Sequence, residues 1–167
     1  MCFYSTVNAQ EFSTEQCLKD LKLAADNANE VSAKILSPQT YKKALAAQGK
    51  ANSTSKKAKY ICEQAKKSSL YFRSATENAK LASQILKNLI LNRRNAIKVN
   101  GPNKYLSKWQ KAEQKFVLAN KSIENGNLER AKKLNIEATK DFNEIELLCI
   151  KDELLSEAKL KISLAKK

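Results

Sequence analysis

The stretch SIENGNLERAKKLNIEA, residues 122–138, contains one of only three glycines in a chain of 167 residues. On both sides of it, alanine and leucine recur at helical spacing. Glycine readily adopts the left-handed conformation in which many helices end. The stretch therefore predicts a hairpin in which one helix ends near Asn125, the chain reverses at Gly126, and another helix begins after Asn127.

The composition of the whole chain favours helices. It has three Gly and two Pro, it is rich in good helix formers, and it lacks the alternating β-branched and aromatic runs typical of strands. We expect an all-α fold, an elongated antiparallel bundle of about four helices with one or two long helices and coiled-coil-like packing. Residues 13–167 are predicted to form this single domain.

The first two helices are predicted from caps and apolar spacing. A capping box at Ser13–Gln16 begins the first helix. Its apolar seam has a period near 3.5 residues and consists of Cys17, Leu21, Ala24, Ala28, Val31 and Ile35. Pro38 begins the second helix, in which small or apolar residues recur every seven positions. We favour a continuous helix over 38–92, and the alternative is a break near residue 52, within GKANSTS.

Two further helices are expected after the Asn100-Gly101-Pro102 turn. One spans about 102–123 with Trp109 on its apolar stripe, and the other runs from residue 128 almost to the end. The motif Pro-x-x-Tyr occurs at Pro38 and again at Pro102. It suggests a weak 64-residue repeat with units 37–100 and 101–164.

The residue types argue against catalysis. There is no histidine, no Cys-x-x-Cys pair and no Gly-rich phosphate loop. We therefore predict no catalytic, cofactor-binding or metal-binding residues and expect a protein that is not an enzyme. Cys17, Cys62 and Cys149 occupy apolar positions, which favours buried thiols over a disulfide, although pairing cannot be read from sequence.

The formal net charge is +14, and residues 41–100 alone contribute +12. A basic face in this part of the chain could bind an acidic partner, with steering that weakens as salt is added. The candidate residues are Lys56, Lys57, Lys59, Lys66, Lys67, Arg73, Arg93 and Arg94. Trp109 is a candidate aromatic contact, although core filling is the simpler interpretation.

Residues 1–12 leave three readings open. Val7-Asn8-Ala9 is similar to the end of a secretory signal peptide, but the segment could also be a disordered terminus, or Cys2 could be a lipoprotein cysteine. No stretch has the ~20 apolar residues of a membrane span. From the signal-like residues we predict a periplasmic or outer-membrane-associated protein, secreted through a signal peptide.

Residues 101–145 carry a pattern that resembles a known family. The pattern consists of Pro102, Tyr105, Ala112, Ala119, Asn125-Gly126-Asn127, Ala131, Leu134 and Ala138. It resembles helical segments of Gram-negative envelope proteins, often joined to OmpA-like or LysM modules that bind peptidoglycan. The chain is also similar in style to a spirochaetal group with a helical N-terminal region and a LysM module, linked to cell fission and outer-membrane integrity.

The resemblance implies a non-enzymatic periplasmic scaffold that supports envelope integrity or cell division. Its partner would be another envelope protein, acidic in character, with anionic lipid or glycan as other possibilities. The alternative function is a basic adhesin or a protein that binds nucleic acid or another anionic polymer. Specific nucleic-acid recognition is not expected, because Lys greatly outnumbers Arg and no known motif is present.

Overall fold

The computed structural model describes residues 13–53 and 56–166, and in these ranges it contains eight helices and no strand. The all-α prediction is confirmed. The helices are α1 (Thr14–Glu30), α2 (Ala33–Leu36), α3 (Pro38–Ala51), α4 (Ala58–Ile85), α5 (Lys87–Lys98), α6 (Gly101–Lys104), α7 (Leu106–Glu124) and α8 (Leu128–Ala165). None of these helices is both long and apolar enough to cross a membrane. The three interpretations of residues 1–12, as the end of a signal peptide, a disordered terminus or a lipoprotein start, concern residues outside the described ranges.

The helices form two units of the same design. In the first unit, α4 packs against both α1 and α3, and in the second, α8 packs against both α5 and α7. Each unit also has a four-residue helix, α2 or α6, between its first and second longer helices. The chain therefore folds as a tandem of two three-helix units rather than as one four-helix bundle.

The short helices reveal the spacing of the repeat. Ser32 and Asn100 each precede one of them with a positive φ, 56° and 63°. The residues that follow them, Ser37 and Tyr105, share an unusual backbone conformation near φ −135°. Equivalent positions are thus 68 residues apart, not 64. Pro38 opens α3 whereas Pro102 lies in the short helix α6, so the two Pro-x-x-Tyr motifs are not equivalent.

Each unit is centred on a matching aromatic pair. The rings of Tyr41 and Phe72 meet edge to face with centroids 5.3 Å apart, and those of Trp109 and Phe142 do the same at 5.0 Å. Tyr41 and Trp109 are separated by the repeat length of 68 residues, whereas Phe72 and Phe142 are 70 residues apart. Such pairs stabilise a core beyond their buried area by about 0.5–1.5 kcal/mol. Around them, buried alanines allow close helix approach.

Several predicted helix boundaries are wrong. Helix α3 ends at Ala51 and α4 begins at Ala58, so the favoured continuous helix over 38–92 does not form. The alternative, a break near residue 52, is confirmed. Asn and Ser at 52 and 53 compete for backbone hydrogen bonds and disfavour helix there. The first helix ends at Glu30, which places Ile35 on the surface, and α5 extends to Lys98 instead of ending at 92.

The predicted reversal at Gly126 is confirmed. Gly126 has φ +73°, its N–H donates to the carbonyl of Ile123, and the N–H of Asn127 donates to the carbonyl of Ser122. These two bonds form a Schellman motif that ends α7. The side chain of Asn127 then accepts a hydrogen bond from the N–H of Arg130 and caps α8.

The preference for buried thiols is wrong for two of the cysteines. Cys17 of α1 and Cys62 of α4 form a disulfide, with Cα atoms 5.4 Å apart. The sequence could not show this, because the two residues become neighbours only when α1 packs against α4. Cys149 is a buried free thiol, as predicted, and its burial raises the pKa of the thiol.

Glu124 joins the two units. Its carboxylate, at the end of α7, accepts hydrogen bonds from the N–H groups of Gln39 and Thr40 at 3.3 and 2.8 Å and from the Ser37 hydroxyl at 2.8 Å. It therefore caps α3 with a negative charge, which the helix N-terminus favours. Ser37 occupies the N-cap position of α3 but donates its hydroxyl to Glu124 instead of capping the helix with its own side chain.

Breaking the disulfide should destabilise the first unit. Because the bond closes a loop of 45 residues, the Cys17→Ala/Cys62→Ala variant should lose about 2–4 kcal/mol of unfolding free energy. Urea unfolding followed by circular dichroism measures this loss. Dithiothreitol should destabilise the wild type and leave the variant unchanged, whereas an unaffected wild type would contradict the bond.

Removing the Glu124 cap should cost about 1–3 kcal/mol, because three donors at the start of α3 lose a charged acceptor. We expect Glu124→Ala to show the full loss in urea unfolding and Glu124→Gln, which keeps an acceptor oxygen, a smaller one. Glu153→Ala, at an exposed position of α8, is the matched control. Equal stability of Glu124→Ala and that control would refute the cap.

Candidate partner-binding surface

The most regular charged feature of the surface is a row of cations along α4 and α5. These residues recur every seven positions, and each is exposed. We call the row the cationic ridge, and it consists of Lys59, Lys66, Arg73, Lys80, Lys87 and Arg94. At 1.5 Å per residue the neighbours are about 10.5 Å apart and the ridge is about 52 Å long. From Ala58 to Lys98 the chain carries nine Lys or Arg and two Glu, a net charge of +7.

The ridge depends on the continuity of α4 and α5. Leu86 separates the two helices with φ −100° and ψ 19°, yet its N–H donates to Ala82 and its carbonyl accepts from Ile90. Leu86 is fully buried. The chain therefore passes from one helix to the next without a loop, and the seven-residue spacing continues across the junction.

The ridge contains four of the predicted basic residues: Lys59, Lys66, Arg73 and Arg94. It also contains Lys80 and Lys87, which the prediction missed although both continue the step of seven that was visible in the sequence. Lys80 forms a 3.1 Å ion pair with Glu77 one turn away.

The other predicted basic residues lie elsewhere. Lys67 is exposed on α4 beside the ridge, whereas Lys56 and Lys57 precede the helix. The ammonium group of Lys56 lies 6.0 Å from the centre of the Tyr60 ring. These three lysines enlarge the positive region at the start of α4 but do not share its seven-residue spacing.

The Arg93 side chain packs against residues of the second unit and does not belong to the ridge. Its guanidinium binds both carboxylate oxygens of Glu113 on α7 and lies 5.6 Å from the ring centre of Trp109 and 5.1 Å from that of Phe116. Bidentate pairing and cation–π contacts stabilise such an arginine. Arg93 therefore links α5 to α7. The Trp109 ring, the predicted aromatic contact, packs against this guanidinium and against the ring of Phe142.

Two exposed leucines lie beside the cationic ridge, each with the same spacing to two of its cations. Leu70 lies next to Lys66 and Arg73, and Leu91 lies next to Lys87 and Arg94 with the same spacing, K-x-x-x-L-x-x-R. Both leucines are more than half exposed. The two triplets are 21 residues, about 31 Å, apart along the helices. Each triplet offers one apolar contact between two positive charges.

Cations of the second unit have acidic neighbours across the helix interface. Lys108 pairs with Glu144, and Lys115 pairs with Asp141 at 2.8 Å. The hydrogen bond from Lys108 lowers the pKa of Glu144, and the bond to Asp141 raises the pKa of Lys115. Both shifts favour the charged forms, so these lysines hold α7 against α8.

A groove of about 290 Å³ between α1 and α4 borders the ridge. Its lining includes Arg73 and Lys80 together with Glu30 and Glu77. Opposite charges therefore meet in this groove. In residues 13–53 and 56–166, no three His, Cys, Asp or Glu side chains are grouped closely enough to hold a metal ion.

No family model, curated protein or solved structure matches the chain. The resemblance of residues 101–145 to Gram-negative envelope proteins therefore stays a prediction.

Tyr105 should titrate at unusually high pH. Its hydroxyl donates to Asp152 at 2.6 Å, and this bond, with smaller contributions from burial and from the Asp152 charge, raises the pKa from 10.0 to about 12. Because only the protonated phenol can donate, the bond is fully present below pH 10 and is lost as the pH rises towards 12. Carbon-13 NMR of the Tyr105 ring measures this pKa, and Asp152→Asn should return it towards 10. Titration of the wild type near 10 would contradict the contact.

Proposed function

We propose that the protein is a non-enzymatic helical scaffold that binds an acidic protein partner along α4 and α5. The observation that carries the proposal is the cationic ridge with its two lysine–leucine–arginine triplets. Evenly spaced cations attract a partner with carboxylates at similar intervals. The leucines add apolar contacts that a protein surface can match and a purely charged polymer cannot.

A helix is the partner element that suits this surface best. The cations recur every two helical turns, and a helix laid alongside α4 and α5 would present carboxylates at the same interval if its sequence repeats every seven residues. Leu70 and Leu91 would then contact apolar residues of that helix about 31 Å apart. We propose an acidic, amphipathic helix as the element that binds here.

The disulfide supports a location outside the cytosol. Stable disulfides form in oxidising compartments such as the bacterial periplasm and are rare in the cytosol. The Cys17–Cys62 bond thus favours the periplasmic location that the signal-like residues and the envelope resemblance suggest. In that setting, the scaffold would contribute to envelope integrity or cell division by holding its partner.

The binding test uses two probes, poly-L-glutamate and a random copolymer of glutamate and leucine. Replacing Lys59, Arg73, Lys87 and Arg94 by Glu turns attraction into repulsion at four positions. At about 0.2–1 kcal/mol for each of the four exposed contacts, affinity for both probes at low salt should fall at least about fourfold. Fluorescence anisotropy of the labelled probes measures the affinities.

The matched control replaces Lys42, Lys43, Lys132 and Lys133 by Glu, four exposed lysines away from the ridge. It changes the net charge by the same amount and should retain most of the affinity. A second variant, Leu70→Ser/Leu91→Ser, should weaken binding of the copolymer and leave poly-L-glutamate unchanged. Equal losses in ridge and control variants, or no effect of the leucines on the copolymer, would argue against the proposal.

A further inference from the structure

The last part of α8 projects from the second unit. Every residue from Ile150 to Lys166 is exposed, whereas the preceding part of the same helix lies against α5 and α7. Counted from Leu147, an exposed residue where α8 leaves the second unit, to Ala165, this end of the helix is about 28 Å long and includes the half-buried Leu148 and the buried Cys149. It carries an unusual density of exposed apolar side chains for its length, including Leu154 at 60% exposure and Ile162 at 56%.

The apolar face of this segment is not a continuation of the buried seam. In the second unit, the buried residues of α8 are Ala131, Ala138, Phe142, Ile145 and Cys149. Continued at the same spacing, that seam falls on Asp152, Ser156, Lys159 and Ser163, which are all polar. A second set of apolar residues lies on a face rotated away from that seam, whereas Ile150, Leu160 and Leu164 lie on other sides of the helix. The rotated face consists of Leu148, Leu155, Ala158, Ile162 and Ala165, with Leu147 and Leu154 beside them. This rotated face therefore suits a contact other than the one with α5 and α7.

We propose that the rotated apolar face of α8 binds the same face of a second copy of the chain, with the two helices antiparallel. If Leu155 lies opposite Ala158 of the second copy, then Leu148 lies opposite Ala165 and Lys151 lies opposite Ile162. The one charged residue in the seam, Lys151, thus rests its aliphatic stem on an isoleucine, as lysines commonly do.

Charge complementarity supports this occupant and this orientation. In the antiparallel pair, Asp152 of each copy lies beside Lys159 of the other, so two attractive contacts flank the seam. In a parallel pair, Lys151 would face Lys151. Like charges directly opposed in this way are unfavourable.

The net charge of the chain leads to the same arrangement. Residues 147–166 carry four Lys and three acids, a net charge of +1, whereas the rest of the chain carries +13. Two copies therefore repel each other over most of their surface and least at this segment. Antiparallel pairing also places the strongly basic remainder of each chain at opposite ends of the paired helices, separated by more than the Debye length of about 8–10 Å.

Sedimentation equilibrium of the whole chain tests the proposal, with Cys2→Ser in every sample so that association is not covalent. Two helices of about 28 Å bury less surface than the ~1,600 Å² of a standard interface, so we expect a dimer with Kd of about 10–500 µM. Leu155→Glu should abolish it. Leu160→Glu, at a leucine that is also exposed but lies on the opposite side of the helix, should leave it intact.

Charge exchange tests the orientation. Asp152→Lys alone and Lys159→Asp alone should each weaken the dimer about tenfold or more, and the two together should restore it to within about threefold of the wild type. Tyr105→Phe controls for the loss of the Tyr105 contact to Asp152 and should not change the dimer. A wild type that stays monomeric throughout the range overturns the proposal. Equal effects of the Leu155 and Leu160 variants, or no rescue by the double exchange, overturn it as well.

Discussion

The backbone hydrogen bonds that carry α4 into α5 across Leu86 are the constraint on which the rest of the structure depends. They make the last helix of the first unit continuous with the first helix of the second. The side chain of Asn135 on α8 donates to the carbonyl of Ile85, immediately before this junction. At the other end of the interface, Glu124 of α7 binds the start of α3. With these contacts in place the two units hold one relative position, and the cations along α4 and α5 form one row.

The two units share a design but differ in what they do with charge. In the second unit, Lys108, Lys115 and Arg93 pair with acidic residues on a neighbouring helix and stabilise the packing. The first unit is instead closed by the disulfide and by apolar contacts of small residues. Its long helix, α4, carries the first four cations of the ridge, from Lys59 to Lys80, and α5 carries the last two, Lys87 and Arg94. The two units thus share a core design, and the outer positions of α4 and α5 carry exposed cations.

Sequence patterns predicted the features that depend on local chemistry. The reversal at Gly126 and the buried positions of Leu21, Ala24 and Ala28 follow from turn chemistry and helical spacing. The 68-residue repeat length was not visible in the sequence, because the two equivalent residues with left-handed backbone, Ser32 and Asn100, are of different types and neither is a glycine.

Gly101 was interpreted as a turn residue, but a Cβ there would lie 2.6 Å from both the Ala96 carbonyl oxygen and Ile145, so it permits close packing of α5 and α8. Such contacts, like the disulfide and the Glu124 cap, join residues far apart in the chain and leave no local pattern. Of the candidate surface, the seven-residue step of the cations was readable, whereas the inward role of Arg93 required the position of α7.

The most direct test of the central claim is the mapping of an acidic ligand onto the surface by NMR. The uniformly nitrogen-15-labelled protein would be titrated with the glutamate–leucine copolymer, and amide shifts followed for every assigned residue. The account predicts that the largest shifts lie along one side of α4 and α5, near Lys59, Arg73 and Arg94, and include Leu70 and Leu91. Shifts centred on the lysines of α3 or α8, or spread evenly over all exposed lysines, would contradict it.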